Sequence, residues 1–482
     1  MARLAEAFFL ALDQGGHSSR ALVFSATGEV IAQAQRAVAT QAPHPDWVEQ
    51  DAQVLVESLH GVIADVHATL GQDAKLVRSA GLATQRSNCV CWDRRDGQAL
   101  SPALSWQDRR AQRWLENLAL DDVWLRARTG LQRSPHYGAS KLRWCLDHLP
   151  AVREAAAARR LACGPLASYL AANLLRERPL LIDPANAART LLWNLSDRDW
   201  DAELLQLFGI ECDVLPRTVP TCYDYGALAW GDTLLPLRVL IGDQSAVVFA
   251  EGRPRSDTLY INLGTGAFLQ RPVAALSSPP DGVLASIVYA DETDAVYVLE
   301  ATVNGAGTAL DWLREQFGID DIETRLPNWL RMAGEIPLFL NGVAGLGSPW
   351  WRADFTSHFI CQGEVQNEPW AQAVAVVESI VFLIAENIQR LQGETPVQRI
   401  QVSGGLAHLD GLCQRLADVS GLPLLRSAQP EATARGVAWL LADAEGLRGH
   451  TSDGKRFAPQ QNLACSVRYQ RWREEMQQAL RN

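Results

Sequence analysis

The stretch Phe8-Phe9-Leu10-Ala11-Leu12-Asp13-Gln14-Gly15-Gly16-His17-Ser18-Ser19-Arg20-Ala21-Leu22-Val23-Phe24 decides the fold. An apolar run from Phe8 to Leu12 reads as a core strand, the paired glycines as a turn, and Arg20 to Phe24 as a returning strand. A third strand starts near Glu29, after the turn Ala26-Thr27-Gly28. A helix is expected from about Asp51, a strand over Ser79 to Thr84, a hairpin over Cys91 to Leu100 turning on Asp96-Gly97, and helices from Trp106 to about Leu170.

The opening pattern recurs in the second half. Thr258 to Leu263 and Ala267 to Arg271 flank the turn Gly264-Thr265-Gly266, and a hairpin follows from Val283 to Leu299. Then come a helix near Thr308 to Phe317, a strand at Pro337 to Leu340, and a long helix with Val377, Ile380, Val381, Ile384 and Ile388 on one face. A strand at Arg399 to Val402, a helix near Asp410 to Val419 and a last helix from Ala432 end the pattern. Two halves of the same α/β construction point to a duplicated domain enclosing a ligand, joined near Val248 to Ser256.

At 482 residues the chain exceeds what one core organises, so two domains are expected, 1–250 and 251–482. A hydrophobic content of 48%, with no run of 18 apolar residues, gives the expectation of a soluble protein. The short Ala7 to Leu12 run leads into Asp13-Gln14-Gly15 without a small-residue cleavage site, so it reads as a strand, not a signal peptide. A net charge of −11 disfavours nucleic acid and anionic membranes as partners. Nine scattered cysteines fit a reduced cytoplasm, and Cys89 with Cys91 is better explained by strand alternation than by a metal site.

Three glycine turns are suited to a nucleotide's phosphates, because glycine lets backbone N–H groups approach closely: 15–16, 264–266, and 404–405 between a strand and a helix. Asp13 at the first turn offers a carboxylate to magnesium. Asp243, after the apolar strand Val239-Leu240-Ile241-Gly242, is placed to accept a proton from an attacking hydroxyl; a helix N-cap is its plainer reading.

Together these residues resemble a family. The series Ala11-Leu12-Asp13-Gln14-Gly15, Trp47-Val48-Glu49-Gln50-Asp51, Thr84-Gln85-Arg86, Trp106-Gln107-Asp108-Arg109-Arg110 and Gly242-Asp243-Gln244 is similar to that of the FGGY carbohydrate kinases, with the glycerol kinases the most similar branch. Asp183-Pro184-Ala185-Asn186, Gly264-Thr265-Gly266-Ala267-Phe268, Gly342-Val343-Ala344-Gly345 and Ala432-Thr433-Ala434-Arg435-Gly436 follow in family order. The resemblance implies two actin-like domains of the sugar kinase and heat-shock ATPase fold, ribonuclease H-like in each half, using ATP and magnesium to phosphorylate a hydroxyl of a small polyol or sugar. It implies Asp243 as catalytic base, and Asp13 with Asp243 at the metal. Gly15, Gly16, His17, Arg20, Gly264, Thr265, Gly266, Gly307, Asp311, Gly404 and Gly405 fall at the nucleotide. Arg86, Ser87, Trp106, His136, Asp243, Gln244 and Phe268 fall at the acceptor.

The departures from the glycerol kinases are specific. Gly16 and His17 stand for two threonines, Ser87 for a glutamate at the polyol, His136 for a tyrosine, Ser403 for an aspartate and Leu409 for an asparagine near adenine. The loop that binds an allosteric sugar bisphosphate has no counterpart around Gly231 to Arg238, so that regulation is not expected. A homodimer is left open. The competing reading is a non-catalytic sugar- or nucleotide-sensing relative of the same fold. A nicotinamide dehydrogenase is disfavoured because no Gly-x-Gly-x-x-Gly follows the first strand.

Overall fold

A computed structural model describes residues 7–276, 279–319, 321–332, 334–360, 368–393, 395–428, 431–447 and 454–481. The chain divides into two compact units. The first comprises 1–253, 285–297 and 432–451; the second comprises 254–284, 298–431 and 452–482.

The first unit is built on a six-stranded sheet in the order Cys222–Trp230, Thr233–Gly242, Val77–Thr84, Phe8–Gln14, Ser18–Ser25, Val30–Ala37. The middle three strands run parallel and the outer ones antiparallel. Position in the sheet explains composition. Phe8–Gln14 is buried along almost its whole length, as a strand covered on both faces must be, whereas the edge strand Val30–Ala37 is largely exposed. One face is covered by the helix Ala52–Leu70, whose Leu55, Leu59, Val62, Ile63 and Val66 form the buried stripe. Asp51 caps it, its side chain accepting from the N–H groups of Gln53 and Val54 at 2.9 and 3.2 Å. The helix Ala432–Ala444 packs against the same sheet through Val437, whose Cγ1 would lie 2.5 Å from a Cβ on Gly81.

The second unit repeats the topology. Its sheet is ordered Ala295–Val303 (from 298 onward), Ala267–Val273, Thr258–Leu263, Arg399–Ser403, Leu424–Ser427, Gly454–Phe457. Thr258–Leu263 pairs antiparallel with the strand after it and parallel with Arg399–Ser403, as Phe8–Gln14 does with Ser18–Ser25 and Val77–Thr84.

Three local readings are corrected. The segment from Trp106 to Leu170 is interrupted by a buried strand, Leu161–Pro165, because a five-residue apolar run has no periodicity that separates strand from helix. That strand is the ladder partner of Cys89–Asp93, and the expected hairpin over Cys91 to Leu100 is present as well, held by the Asp93 N–H to the Gln98 carbonyl at 2.9 Å, the Gly97 N–H to the Asp93 carbonyl at 2.9 Å, the Leu100 N–H to the Cys91 carbonyl at 2.7 Å and a bridge from Trp92 to Ala99. The helix Pro369–Arg390 is buried on every side over 371–388, not on one face. By length and composition it could cross a membrane, but that apolar stretch lies inside the unit. The helix Leu463–Ala479, beyond the expected last helix, packs on it and supplies partners for its acids. Glu378 pairs with Arg415 and Arg468, and Glu386 with Tyr469 and Arg473.

The short helix Asp243–Val247 and the helix Ala432–Ala444 meet at Gly436, where a Cβ would stand 1.9 Å from the carbonyl oxygen of Ala246. No side chain fits without separating the two helices. We expect Gly436→Ala to destabilise the first unit by about 1–3 kcal/mol, from the cost of overpacking, read as a lower thermal unfolding midpoint; an unchanged midpoint contradicts the close approach.

Candidate active site

Parallel pairing of three strands brings the first set of residues to one edge. Gln14 is in register with Thr84, and Thr84 with Gly242, so Asp13, Gln85-Arg86 and Asp243 leave the sheet together at its carboxyl end. Ligands of open α/β sheets bind at this edge. Asp13 and Asp243 are separated by two strand spacings, about 10 Å between backbones.

The turn after Asp13 is held by amide side chains. Gln85 Nε2 donates to the Gly15 carbonyl at 3.1 Å and to Gln50 Oε1 at 3.1 Å, while Gln50 Nε2 and Thr40 Oγ1 donate to the Gly16 carbonyl at 3.0 and 3.2 Å. With those carbonyls engaged, the turn's shape is fixed. His17 is exposed, and Arg20 lies opposite Asp13 on the next strand. Asp243 starts its helix, and its Oδ1 accepts from the Gln244 N–H at 2.7 Å. Burial raises its carboxyl above the ordinary carboxylate value, opposed by the Arg86 guanidinium and by N–H bonds from Gln244 and Arg86.

Arg86 is buried beside Gly242, where a Cβ would lie 2.5 Å from the arginine's Cγ. Ser87 follows with φ of +67°, a left-handed conformation uncommon for serine. Asn88 Oδ1 accepts from the Trp106 N–H at 2.7 Å. Trp106 faces His136 at 5.4 Å between ring centroids, and His136 faces Tyr137 at 5.0 Å, so an aromatic wall adjoins Arg86. The hydroxyls of Ser87, Ser140 and Ser245 and the Asn88 Nδ2 are buried with no hydrogen-bond partner. Ser87 and Asn88 directly follow Arg86 and the Ser245 hydroxyl lies beside Gly242, so these three can meet a polar ligand there, while other buried unpartnered atoms, such as the Tyr169 and Ser286 hydroxyls, lie elsewhere in the chain.

The motifs around Trp47 and Trp106 form the frame of this wall. Asp108 accepts from the Val48 N–H at 2.7 Å and pairs with Arg110 at 2.8 Å, and Arg110 also pairs with Glu49 at 2.5 Å. The Arg110 guanidinium lies over the rings of both Trp47 and Trp144, at 4.1 and 4.8 Å from their centroids. Beneath the wall sits Lys141, which sequence reasoning missed. One lysine in an amphipathic helix carries no signal of its own.

The second unit holds the other glycine turns. Between Thr258–Leu263 and Ala267–Val273, the Gly264 N–H donates to the Gly266 carbonyl at 2.8 Å, leaving Thr265 exposed at the tip. This turn is sealed onto the start of the helix Gly307–Phe317: Gly307 N–H donates to the Gly264 carbonyl at 3.0 Å and Thr308 N–H to the Thr265 carbonyl at 3.1 Å. A Cβ on Gly307 would lie 2.8 Å from the Gly264 carbonyl, so this contact requires glycine. Asp311 is exposed one turn along the helix and pairs with Arg314 at 3.2 Å. At the end of Arg399–Ser403, Gly404 has φ of +90° and a Cβ on Gly405 would meet open space, as a backbone cradle for a ligand requires. Phe268 is half-buried on Ala267–Val273, in this unit.

The donor set bears on magnesium. Among the described residues no group of three or more His, Cys, Asp or Glu could hold a metal by itself. Two carboxylates at the sheet edge, Asp13 and Asp243, fit an ion that keeps several waters and takes phosphate oxygens as ligands, as magnesium does. Cys89 and Cys91 are buried free thiols on a strand, which agrees with the structural reading of that pair.

Comparison with known proteins follows the geometry. Residues 8–234 match the model of the FGGY family of carbohydrate kinases, N-terminal domain, and 259–444 that of the C-terminal domain. The chain is 36% identical over 462 residues to a glycerol kinase of Trichlorobacter lovleyi, covering 91% of this chain and 90% of the relative. It is 33% identical over 494 residues to a glycerol kinase of Thermus brockianus, covering 98% of each. In fold it is similar to a glycerol kinase of Plasmodium falciparum with ADP (TM-score 0.89, 22% identity, 98% of each chain) and to a xylulose kinase of Brucella ovis (TM-score 0.86, 23% identity, 98% of this chain and 99% of that one).

Behind the sheet edge, Asp183 is fully buried and caps a short helix, accepting from the Asn186 N–H at 3.1 Å and Asn186 Nδ2 at 2.7 Å, while Asn186 reaches Thr84. Burial outweighs these bonds and raises its carboxyl from 3.8 to about 7. Between those values the folded state holds a proton that the unfolded chain has released, so stability falls as pH rises through the window. We expect wild type to lose stability relative to Asp183→Asn between pH 4 and 7, measured as the difference in unfolding midpoints; a difference that does not change with pH contradicts the burial.

Proposed function

The chain belongs to the FGGY family of carbohydrate kinases, and from that premise we propose that its acceptor is a polyol or sugar longer than glycerol. Like other members it transfers a phosphoryl group from ATP to a hydroxyl of a sugar or polyol, with magnesium. In our reading Asp243 accepts the hydroxyl proton, and its burial makes it a stronger base than a solvated carboxylate. Arg86, Gln244, Trp106 and His136 orient the acceptor, and Phe268 is assigned to the acceptor by the family resemblance. Thr265 with the N–H groups of its turn takes the terminal phosphate, and Gly307, Asp311, Gly404 and Gly405 hold the rest of the nucleotide. Asp13 and Asp243 hold the ion's water shell, while Gly15, Gly16, His17 and Arg20 border the phosphates. When bound, magnesium offsets the negative charge of the phosphates. The cytoplasm is the setting we propose, supported by the buried free thiols.

The observation that carries the choice of acceptor is the orphaned pair Ser87 Oγ and Asn88 Nδ2 beside Arg86. Serine in place of the glutamate of the glycerol kinases leaves room and unmet polar atoms, which further hydroxyls of a longer substrate satisfy. Histidine at 136 shortens the opposite wall in the same sense.

Two experiments test this. Asp243→Asn should lower kcat by about 10²–10⁴-fold with the KM for ATP unchanged; a wild-type rate places the base elsewhere. Wild type should have higher kcat/KM on C4 to C7 polyols or ketoses than on glycerol, and Ser87→Glu with His136→Tyr should shift preference toward glycerol by about 1–3 kcal/mol per restored contact. Glycerol ranking first in the unmodified enzyme defeats the substrate assignment while leaving the kinase chemistry standing.

A further inference from the structure

We propose that Lys141 is a positioning residue for acceptor recognition: its buried ammonium donates to the carbonyl oxygens of Ser87, Ser105 and His136, and so gathers three separate chain segments into one acceptor site. The inference rests on the reading above that Arg86 with Ser87, Trp106 and His136 hold the acceptor.

The three bonds are each 2.8 Å, and they use all three donors of the ammonium. Their acceptors lie 54, 36 and 5 residues away in sequence. Each belongs to, or directly precedes, a residue of the aromatic and arginine wall. Ser87 contributes its carbonyl from the left-handed conformation, a strained geometry that persists only where the surroundings over-determine it. The Lys141 ammonium is such a determinant, since relaxing Ser87 would turn its carbonyl away.

Stability does not account for the charge. Lys141 is completely buried, and burial lowers its pKa from 10.5 to about 8. Asp108 and Cys89 oppose this shift and Arg110 adds to it. A group whose pKa falls on folding destabilises the fold in its charged form. Lys141 also sits in the first turn of the helix Gly138–His148, near the positive end of the helix dipole, where a cation is disfavoured. An apolar side chain of the same length avoids both costs but leaves the carbonyls of Ser87 and His136 without the donor they have here. What such a side chain lacks is the three-way tie, so the two roles separate experimentally.

Lys141→Met is the test, with kinetics measured on the best acceptor of the wild type. We expect the acceptor KM to rise about tenfold or more and the KM for ATP to stay within about twofold, assayed below the variant's unfolding midpoint, which the loss of a donor to buried carbonyls lowers. An unchanged acceptor KM overturns the proposal. So does an equal rise in both KM values, or a fall in activity confined to temperatures near the lowered midpoint, since each denotes a general structural role. Should Lys141→Met not fold, Lys141→Ala is assayed with and without ethylammonium, and recovery of the acceptor KM supports the proposal while no recovery overturns it. A wild type that phosphorylates no polyol or sugar overturns the underlying reading as well, whereas a failure confined to the variant leaves that reading intact.

Discussion

The structure depends on the parallel registration of Phe8–Gln14, Val77–Thr84 and Thr233–Gly242. Backbone hydrogen bonding between these strands, buried on both faces, fixes where each one ends. Those ends set Asp13, Gln85-Arg86 and Asp243 at one edge. A slip of one residue would turn each of these side chains to the opposite face of the sheet. The helix Ala432–Ala444, distant in sequence, closes against the same strands through Val437 on Gly81, and against the helix Asp243–Val247 through a contact that admits only glycine at 436. The carboxylates are thus placed by the most rigid part of the unit.

On that scaffold the region around Arg86, Trp106 and His136, proposed above to hold the acceptor, is a layer of buried polar interactions. Glutamines 14, 50 and 85 fix the first turn, the Asp108, Arg110 and Glu49 ion pairs join the two tryptophan motifs, and Lys141 ties the backbones above it. Interactions of this kind are strong only when every member is satisfied. Against that background the Ser87 and Ser245 hydroxyls and the Asn88 Nδ2 have no hydrogen-bond partner, as is true of some buried atoms elsewhere in the chain. Preorganised polar groups that wait for a ligand are what a site for a hydroxylated substrate requires.

Much of this was legible in the sequence. Strand Thr258–Leu263 begins and ends where the apolar run does, and the glycine turns at 15–16, 264–266 and 404–405 lie at strand ends as their neighbours require. Asp13 and Asp243 were marked by following apolar strands. What escaped was set by tertiary contact. Leu161–Pro165 is a strand because Cys89–Asp93 offers it a partner, and the helix Pro369–Arg390 is buried all round because Leu463–Ala479 supplies Arg468 and Arg473 to its glutamates. Lys141 carried no signal because the three carbonyls that surround it come from separate segments of the chain. The same holds for Asp183, whose raised carboxyl follows from burial that no local pattern reveals.

The central claim is that this sheet edge and the glycine turns serve phosphoryl transfer from ATP to a sugar or polyol hydroxyl. The most direct measurement is the stoichiometry of the wild-type reaction over a panel of C3 to C7 acceptors, with ADP quantified and the product identified by mass spectrometry. The account predicts magnesium-dependent formation of one phosphorylated acceptor per ADP released, with little ADP released when no acceptor is present. ADP release that is indifferent to every acceptor, or no nucleotide turnover at all, would contradict it.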